Sequence, residues 1–326
     1  MNLPHCQIVM KDSLIRTAKY IYYYLPEGLK SKITKKKQER DLQAALERAK
    51  RVKISKEEVE KIIQSLDIGD CDVILHSSTM NIGKIQGGVK WITKCLFEKV
   101  GLSEHALLVS ALPYRGRFKD YLEKGVEFDV RTAPIAMGGI NEYIGSLSEA
   151  HRSIHPTHSI VAVGKGAEEY VGNHHLDKTP FGPNSPYYKI IKNRGKAVMF
   201  GASLDNFTCV HVIEDMLGDL HPVKVYAPKR YKVKCVDSMG NELSVETPSH
   251  DALKGTIRQM MPLKPKLLKR GIMKTWPIGD SDIEVIDLYE FAIFYLEEIK
   301  NGNTIYGKSK VSPQLKEKIE ELEKTL

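Results

Sequence analysis

Short apolar runs alternate with amphipathic stretches along most of this chain. The runs typical of buried strands span residues 71–76, 106–109, 159–163 and 197–200. Between them, residues 89–98 and 166–171 place apolar side chains at helical spacing. Strands that alternate with helices are characteristic of an α/β fold. The pattern therefore predicts a central mixed or largely parallel sheet that is flanked by helices.

Polar residues mark the predicted starts of several helices. Ser55 and Glu58 form the capping-box pattern, in which the serine hydroxyl accepts a hydrogen bond from an amide of the first turn. Asp287 precedes a strongly apolar helix, and Ser312 with the following proline opens a C-terminal helix. Residues 223–245 instead alternate valine, tyrosine and lysine, which predicts an antiparallel region.

Residues 1–53 differ from the rest of the chain in charge. They contain 13 Lys and Arg against 5 Asp and Glu, whereas the remaining residues contain 36 of each. An apolar helical pattern at 11–25 is interrupted by Pro26 and Gly28, and a lysine run then leads to a second helical stretch at about 38–52. We therefore expect a basic helical extension at 1–53, a main domain at 54–300, and a C-terminal linker and helix at 301–326.

The extension is compatible with two kinds of contact. A basic amphipathic helix followed by lysines is typical of segments that bind an anionic membrane surface. The same pattern suits a helix that packs on its own domain or on the second subunit of a homodimer. No nucleic-acid recognition motif accompanies the charge, so we expect no nucleic-acid partner. We also expect a protein that begins at about Ile54 to keep its activity.

Composition narrows the cellular setting. The five cysteines are scattered and show no Cys-x-x-Cys spacing, which favours a reducing compartment over a disulfide framework or a zinc ribbon. No apolar run reaches the length of a membrane-spanning helix, and the first residues lack the pattern of a signal peptide. We expect a cytoplasmic protein, at most peripheral to the inner face of the membrane.

Two sequence runs bring together residues that are suited to proton transfer. The first is Arg152-Ser-Ile-His-Pro-Thr-His-Ser159, and the second is Gly201-Ala-Ser-Leu-Asp-Asn-Phe-Thr-Cys-Val-His-Val-Ile-Glu214. Imidazole titrates near neutral pH, and a neighbouring carboxylate fixes its tautomer. From the residues alone, a hydrogen-bonded structural loop and a solvated helix face are the more common explanation for such histidines.

The first run resembles a signature of the aminoglycoside 3-N-acetyltransferases. Further similar segments follow in the family's order: 72–78, 87–88, 132–138, 180–186, 195–201 and 204–211. The resemblance covers about residues 54–300 and implies an acyltransferase domain that moves an acyl group from coenzyme A to an amine. It implies His158 as the general base, with His155 as a close rival that the sequence does not separate from it.

The resemblance also assigns supporting roles. Glu214 or Asp205 would orient the imidazole, as in a triad, and Thr208 or a backbone amide would donate to the thioester oxyanion. Arg152 and His211 are the candidate substrate-binding residues. For the cosubstrate, acetyl-CoA or another acyl-CoA, Gly87 and Gly88 at a helix start suit the pyrophosphate, and Ser77 and Ser78 lie at the preceding strand end.

Other chemistries and acceptors remain open at this point. Histidines beside carboxylates also bind zinc, although Pro156 and Thr157 between His155 and His158 break the helical spacing of a His-Glu-x-x-His site, so no metal is expected. Cys209 could carry the acyl group in a ping-pong reaction, but a buried structural thiol is the simpler interpretation.

The acceptor is the least determined part of the prediction. A neutral main domain with several arginines near the motifs favours an anionic amino sugar, such as a nucleotide-linked one that serves surface-polysaccharide synthesis. The alternative acceptor is an aminoglycoside, which would make the protein an antibiotic-resistance enzyme. A binding or scaffold protein without catalysis is the alternative from another functional class.

Overall fold

The computed structural model of the protein describes the backbone of residues 3–326 and the side chains of residues 14–326. Its helices are α1 (Leu3–Tyr24), α2 (Glu27–Arg51), α3 (Lys56–Ser65), α4 (Gly88–Val100), α5 (Phe118–Glu123), α6 (Gly139–Gly145), α7 (Ala167–Val171), α8 (Pro186–Lys192), α9 (Val210–Leu217), α10 (Ala252–Ile257), α11 (Lys264–Lys269), α12 (Leu288–Lys300) and α13 (Pro313–Thr325). Short 3₁₀ turns add Thr79–Asn81, His174–Leu176, Leu204–Asn206, Gly218–Leu220 and Met261–Leu263.

The strands form one large sheet and three small ones. They are β1 (Lys53–Ile54), β2 (Val73–Ser77), β3 (Lys84–Ile85), β4 (Ala106–Ser110), β5 (Phe128–Asp129), β6 (His151–Arg152), β7 (Ile160–Gly164), β8 (Lys196–Phe200), β9 (Tyr226–Val236), β10 (Glu242–His250), β11 (Met273–Ile278), β12 (Ser281–Asp287), β13 (Asn303–Thr304) and β14 (Gly307–Lys308). The predicted antiparallel region is confirmed, because β9 and β10 form a long hairpin to which β5 adds.

The central sheet has seven strands in the order β11-β12-β8-β2-β4-β7-β6. The middle strand β2 pairs in parallel with both β4 and β8, and the outer pairs are antiparallel. This arrangement confirms the predicted α/β fold with a mixed sheet. Helices cover both faces because residues along each strand alternate between the two sides: Ile74 packs with α8 and α12, whereas Val73 and Leu75 pack with α3 and α4.

One edge of this sheet collects the segments that matter for function. Because β2, β4 and β8 run in parallel, their carboxyl ends meet at the same edge. The antiparallel strand β7 begins at that edge, so the residues just before it lie there too. Loops at the carboxyl ends of parallel strands are where α/β proteins place their binding sites. The two histidine-containing sequence runs therefore converge here.

The predicted helix caps are confirmed. The Ser55 hydroxyl accepts from the Glu58 amide at 3.1 Å, and the Asp287 and Ser312 side chains cap α12 and α13 in the same way. The prediction of a helix start near residue 38 was wrong, since α2 begins at Glu27 and includes the lysine run. Pro26 lies just before this helix, so it breaks no helical hydrogen bond, and lysine is a good helix former.

The segments that flank the main domain pack against its core. Strand β1 pairs in parallel with β3, and Ile54 is buried in the core beneath the sheet. At the other end, Leu315, Ile319 and Leu322 of α13 are buried on the opposite face. Among the described residues, no helix is both long enough and apolar enough to span a bilayer.

Candidate active site

A cleft of about 710 Å³ opens at the carboxyl edge of β2, β4 and β8. Much of its wall comes from five parts of the chain: residues 75–78 at the end of β2, residues within 110–119 at and after the end of β4, His158 before β7, residues within 202–208 after β8, and residues within 250–258 around the start of α10. The cleft is also lined by Ala136, Met137, Asn141 on α6, His211 on α9 and Tyr306 between β13 and β14. Of the residues predicted from sequence, His158, Thr208, His211, Ser77 and Ser78 line this cleft.

His158 presents one face of its imidazole to the cleft. Its Nδ1 lies 2.9 Å from the Thr157 hydroxyl, and its ring is in edge contact with Phe118 and Phe181. Only 7% of the residue is exposed. Burial, together with nearby His250, His211, His174 and Arg258, lowers the pKa of His158 well below its usual value. The imidazole is therefore neutral at pH 7 and available as a proton acceptor.

His155 lies behind His158 and is completely buried. Its Nδ1 accepts from the backbone amides of Thr157 and His158, at 3.3 and 3.1 Å. Its ring stacks on His174 with centroids 4.6 Å apart, and His174 in turn contacts the Ser153 hydroxyl and the Pro180 carbonyl. His155 is not among the residues that line the cleft. Its contacts build the loop that carries His158.

His211 and Glu214 form a buried pair on α9, where the spacing of three residues brings their side chains to the same face. Nδ1 of His211 lies 2.6 Å from Oε2 of Glu214. On the other side, the Arg258 guanidinium contacts Nε2 of His211, so both ring nitrogens have partners. Burial raises the pKa of Glu214 to about 7. Glu214 thus orients His211, and Thr157 rather than Glu214 is the neighbour of His158 Nδ1.

Asp205 and Thr208 lie on the loop between β8 and α9. The Asp205 carboxylate accepts from the Met260 amide at 2.7 Å, and its carbonyl accepts from the Arg258 guanidinium at 3.0 Å. Asp205 therefore anchors the 258–260 segment and does not line the cleft. Thr208 does line it, with its hydroxyl 3.3 Å from the Asn206 carbonyl.

Sequence reasoning missed several residues of this cleft, above all His250, Arg258 and His76. The His250 ring lies between those of His211 and His158. Its centroid is 4.7 Å from that of His211 and 6.0 Å from that of His158. Nε2 atoms of both His250 and His76 are buried without a hydrogen-bond partner in the described structure. The available signal for His250 was its position at a strand end, directly before Asp251, which caps α10.

The predicted cosubstrate residues lie on both sides of the β2–α4 connection. The Ser77 hydroxyl donates to Asn141 at 3.1 Å, and Ser78 accepts from Asn81 at the same distance. Gly87 and Gly88 begin α4 with φ of 82° and 59°, values that favour glycine. A side chain at Gly87 would collide with Trp91, whereas the space beside Gly88 is open. Neither glycine is among the lining residues of the cleft.

Arg152 lies outside this cleft and faces a second depression. Its guanidinium donates to the carbonyls of Ala111, Ala133 and Pro134, and its Nε donates to the Ser159 hydroxyl at 3.2 Å. These contacts tie together the loops after β4 and β5 and the start of β7. In this structure Arg152 supports the site from behind rather than facing the cleft.

The geometry favours neither the zinc nor the thiol alternative. His211, Glu214 and His250 place possible ligand atoms within 4.8 Å of one another. Both His211 nitrogens are already engaged, and the neighbouring Arg258 cation opposes a second positive charge, so we assign no metal here. Cys209 is completely buried, and burial raises the pKa of its thiol far above the usual range, which opposes a nucleophilic thiolate.

Positive charge predominates on the cleft wall. The described lining includes four cationic side chains, Arg115, Arg117, Lys119 and Arg258, but a single carboxylate, Asp251. A cleft lined mainly by one sign of charge raises the local concentration of ligands of the opposite sign. This wall therefore favours a ligand, or part of one, that carries negative charge.

Known proteins similar to this chain share both its sequence pattern and its fold. Aminoglycoside N(3)-acetyltransferase IX of Micromonospora chalcea is 24% identical over 276 residues, which covers 75% of this chain and 94% of that relative. A structure of AAC-IIIb with CoASH has a TM-score of 0.64 at 21% identity and covers 80% of this chain and 100% of that chain. AAC-VIa bound to sisomicin has a TM-score of 0.60 at 22% identity, with 76% and 97% covered.

The sequence profile of the aminoglycoside 3-N-acetyltransferase family matches residues 74–298. This range contains every strand of the central sheet except the first residue of β2, and it includes His158, His211 and Arg258. The resemblance inferred from the motifs is thereby confirmed, and the chain belongs to the aminoglycoside 3-N-acetyltransferase family.

Proposed function

We propose that this protein transfers the acetyl group of acetyl-CoA to an amino group of an aminoglycoside or a similar amino sugar, with His158 as the general base. The observation that carries this proposal is a neutral, oriented imidazole at the wall of a deep cleft in a chain of this family. An ammonium group does not attack a thioester, so the acceptor amine needs a base. Positioned acid–base groups contribute roughly 10²–10⁴ in rate.

The hydrogen-bond network supports the tautomer that a base requires. Because Nδ1 of His155 accepts from two amides, it carries no proton, and we propose that the Thr157 hydroxyl, 3.4 Å away, directs its own proton toward it. The Thr157 oxygen is then left to accept from Nδ1–H of His158. In this chain of hydrogen bonds, Nε2 of His158 carries no proton and is left to face the cleft. This arrangement favours His158 over His155 as the base.

The reaction that fits this arrangement is direct transfer. The ammonium group first loses one proton to solvent, and the neutral amine then gives a second proton to Nε2 of His158 as its nitrogen bonds to the thioester carbonyl carbon. Thr208 or a backbone amide stabilises the oxyanion, the carbon–sulfur bond breaks, and the departing thiolate takes the proton from the imidazolium. The products are the acetylated amine and free coenzyme A, and no acyl-enzyme forms. A relative of the same fold has been solved with CoASH, which supports this cosubstrate.

Two acceptor classes remain candidates. The family and the relative solved with sisomicin support an aminoglycoside, which is a polycation. The predominantly cationic lining of the cleft supports a second candidate, an amino sugar with an anionic group such as a nucleotide-linked one. Coenzyme A is itself polyanionic, so part of this charge also suits the cosubstrate.

A thiol-release assay tests the proposal. The full-length protein is incubated with acetyl-CoA and, separately, with sisomicin, gentamicin, apramycin and nucleotide-linked amino sugars, and free thiol is followed over time. We expect acceptor-dependent release, and a fall of about 10² or more in kcat with His158→Ala while coenzyme A binding is kept. Turnover that is normal in His158→Ala and lost in His155→Ala would move the role to His155. No release with any acceptor would contradict the proposed function.

A further inference from the structure

Arg258 connects the cleft to a part of the chain outside the family match. Its guanidinium contacts Nε2 of His211 and donates to the Asp205 carbonyl at 3.0 Å. Because Nε2 of His211 accepts this bond, Nδ1 must carry the proton that bonds to Glu214. The position of Arg258 therefore fixes the tautomer and the orientation of His211 in the cleft wall.

The backbone around Arg258 is held from outside by α1. Nζ of Lys19 donates to the Arg258 carbonyl at 2.8 Å. The Arg16 guanidinium donates to the carbonyls of Ile257 and Ile305, both at 3.3 Å, and to the Gln259 side chain at 3.4 Å. Lys19 thus binds Arg258 itself, and Arg16 binds the residues before and after it. Bonds from charged donors are stronger than those from neutral ones.

The second helix of the extension reaches two other segments of the cleft. Arg48 donates to the Met80 carbonyl at 2.9 Å, two residues after the lining residue Ser78. Glu27 lies 3.6 Å from Arg117, which is also in the lining. A hydrogen bond of 2.8 Å between the side chains of Tyr22 and Thr34 joins α1 to α2. Helices α1 and α2, here called the N-terminal hairpin, therefore contact three cleft segments that are distant in sequence.

We propose that the N-terminal hairpin is a positioning element of the active site, in which Lys19 and Arg16 hold Arg258 so that its guanidinium fixes His211. The expected effect on turnover rests on the proposed function, whereas the expected effect on His211 does not. It reverses the expectation that residues 1–53 are separable from activity. Lys19 and Arg16 act through Arg258 and are positioning residues.

Two measurements on the full-length protein test the role of Lys19. In Lys19→Met, Arg258 loses the bond to its carbonyl, and we expect kcat/KM for the acceptor to fall about tenfold with little change in KM for acetyl-CoA; this is the effect of losing one charge-assisted hydrogen bond. Independently of turnover, NMR titration of His211, assigned with a His211→Asn variant, is expected to show an upward shift in its pKa. The nearby Arg258 cation is one cause of the low pKa of His211, so its displacement removes that effect.

The controls separate positioning from general destabilisation. Lys19→Arg is expected to restore both measurements, and Lys36→Met, at an exposed lysine of α2, is expected to leave both unchanged. Arg16→Gln is a second variant that removes a different support of the same segment and should act in the same direction. The other titratable groups around His211 include Glu214, His250, His221 and His158, and none of these variants alters them.

The outcomes are distinct. A folded Lys19→Met protein with normal kcat/KM and an unshifted His211 would overturn the inference. Equal losses in Lys19→Met and Lys36→Met would also overturn it, because they would indicate a general effect of the hairpin. If the wild-type protein shows no transfer to any acceptor, the proposed function fails, while the NMR comparison still decides whether Lys19 controls His211.

Discussion

The Thr157 hydroxyl lies 2.9 Å from Nδ1 of His158, at the closest polar contact of that imidazole in the described structure. We expect Thr157→Val to lower kcat by about tenfold, because the ring loses the acceptor that holds its Nδ1 proton. KM for acetyl-CoA should change little. Thr157→Ser keeps the hydroxyl and is the matched control. Steady-state kinetics of the three proteins check this prediction, which fails if valine and serine behave alike.

The start of α4 offers a matched test of the cosubstrate site. Gly88 and Gly101 lie at opposite ends of this helix, both have positive φ, and both have open space beside them. Valine at either position therefore causes similar backbone strain. If the pyrophosphate binds at Gly88, calorimetry should show weaker coenzyme A binding in Gly88→Val than in Gly101→Val. Equal affinity in the two folded variants would place the cosubstrate elsewhere.

Stability should fall in mild acid because of buried imidazoles. Burial lowers the pKa of six histidines, to about 4 for His76 and about 3 for His174 and well below the usual value for the others: His155, His158, His211 and His250. These groups bind fewer protons when folded than when unfolded. Below about pH 6.5 each therefore costs up to about 1.4 kcal/mol of unfolding free energy per pH unit.

Two buried carboxyl groups act in the opposite direction. Burial raises the pKa of Glu214 and of Asp215 to about 7, so their ionisation costs stability as the pH rises from about 4.5 to 7. The histidines outnumber them, and the net expectation is a lower unfolding free energy at pH 5 than at pH 7. Urea denaturation at pH 5, 6 and 7 measures it. A constant or rising stability toward pH 5 would contradict this reading of the histidine cluster.

Membrane contact through the outer side of the N-terminal hairpin stays a prediction. Leu14, Ile21 and Tyr24 are 58–68% exposed on α1, and an exposed lysine run follows on α2. We expect the protein to co-sediment with anionic vesicles at low salt and to be released at high salt, since salt screens the attraction. Changing Lys35, Lys36 and Lys37 to Gln should weaken binding more than changing Lys310, Lys316 and Lys324. Equal binding of both triple variants would exclude the lysine run as the contact.

Local sequence signals predicted the strands and the capped helix starts well, because those signals act within a few residues. Ser55, Asp287 and Ser312 each satisfy an amide of the turn that follows. The pairing of Glu214 was harder to predict. Its spacing from His211 indicated a helix face, but whether it would orient His211 or His158 depended on how two distant loops meet. The sequence indicated the residue types and left their pairing open.

His250 and Arg258 could not be predicted as parts of the site from the same reasoning. His250 is the last residue of the β9–β10 hairpin and Arg258 follows it. This hairpin carries the chain out to a separate small sheet before it returns to the cleft. The contact of Arg258 with Lys19 spans 239 residues of sequence. Nothing in the pattern of either segment indicates that they meet, since hydrophobic periodicity reports which face is buried and not what covers it.

Protonation of His155 would set a lower pH limit for the structure of this site. Its Nδ1 is the acceptor for two amides of the loop that carries His158. A proton on that nitrogen would turn the acceptor into a donor that faces two other donors. Acidification would therefore disrupt the loop, and it would also protonate His158, which could then no longer act as a base. Acidification therefore limits both the activity and the structural integrity of this site. Evolution toward an acidic habitat would have to rebuild this loop, because a change in surface charge alone would not supply the lost acceptor.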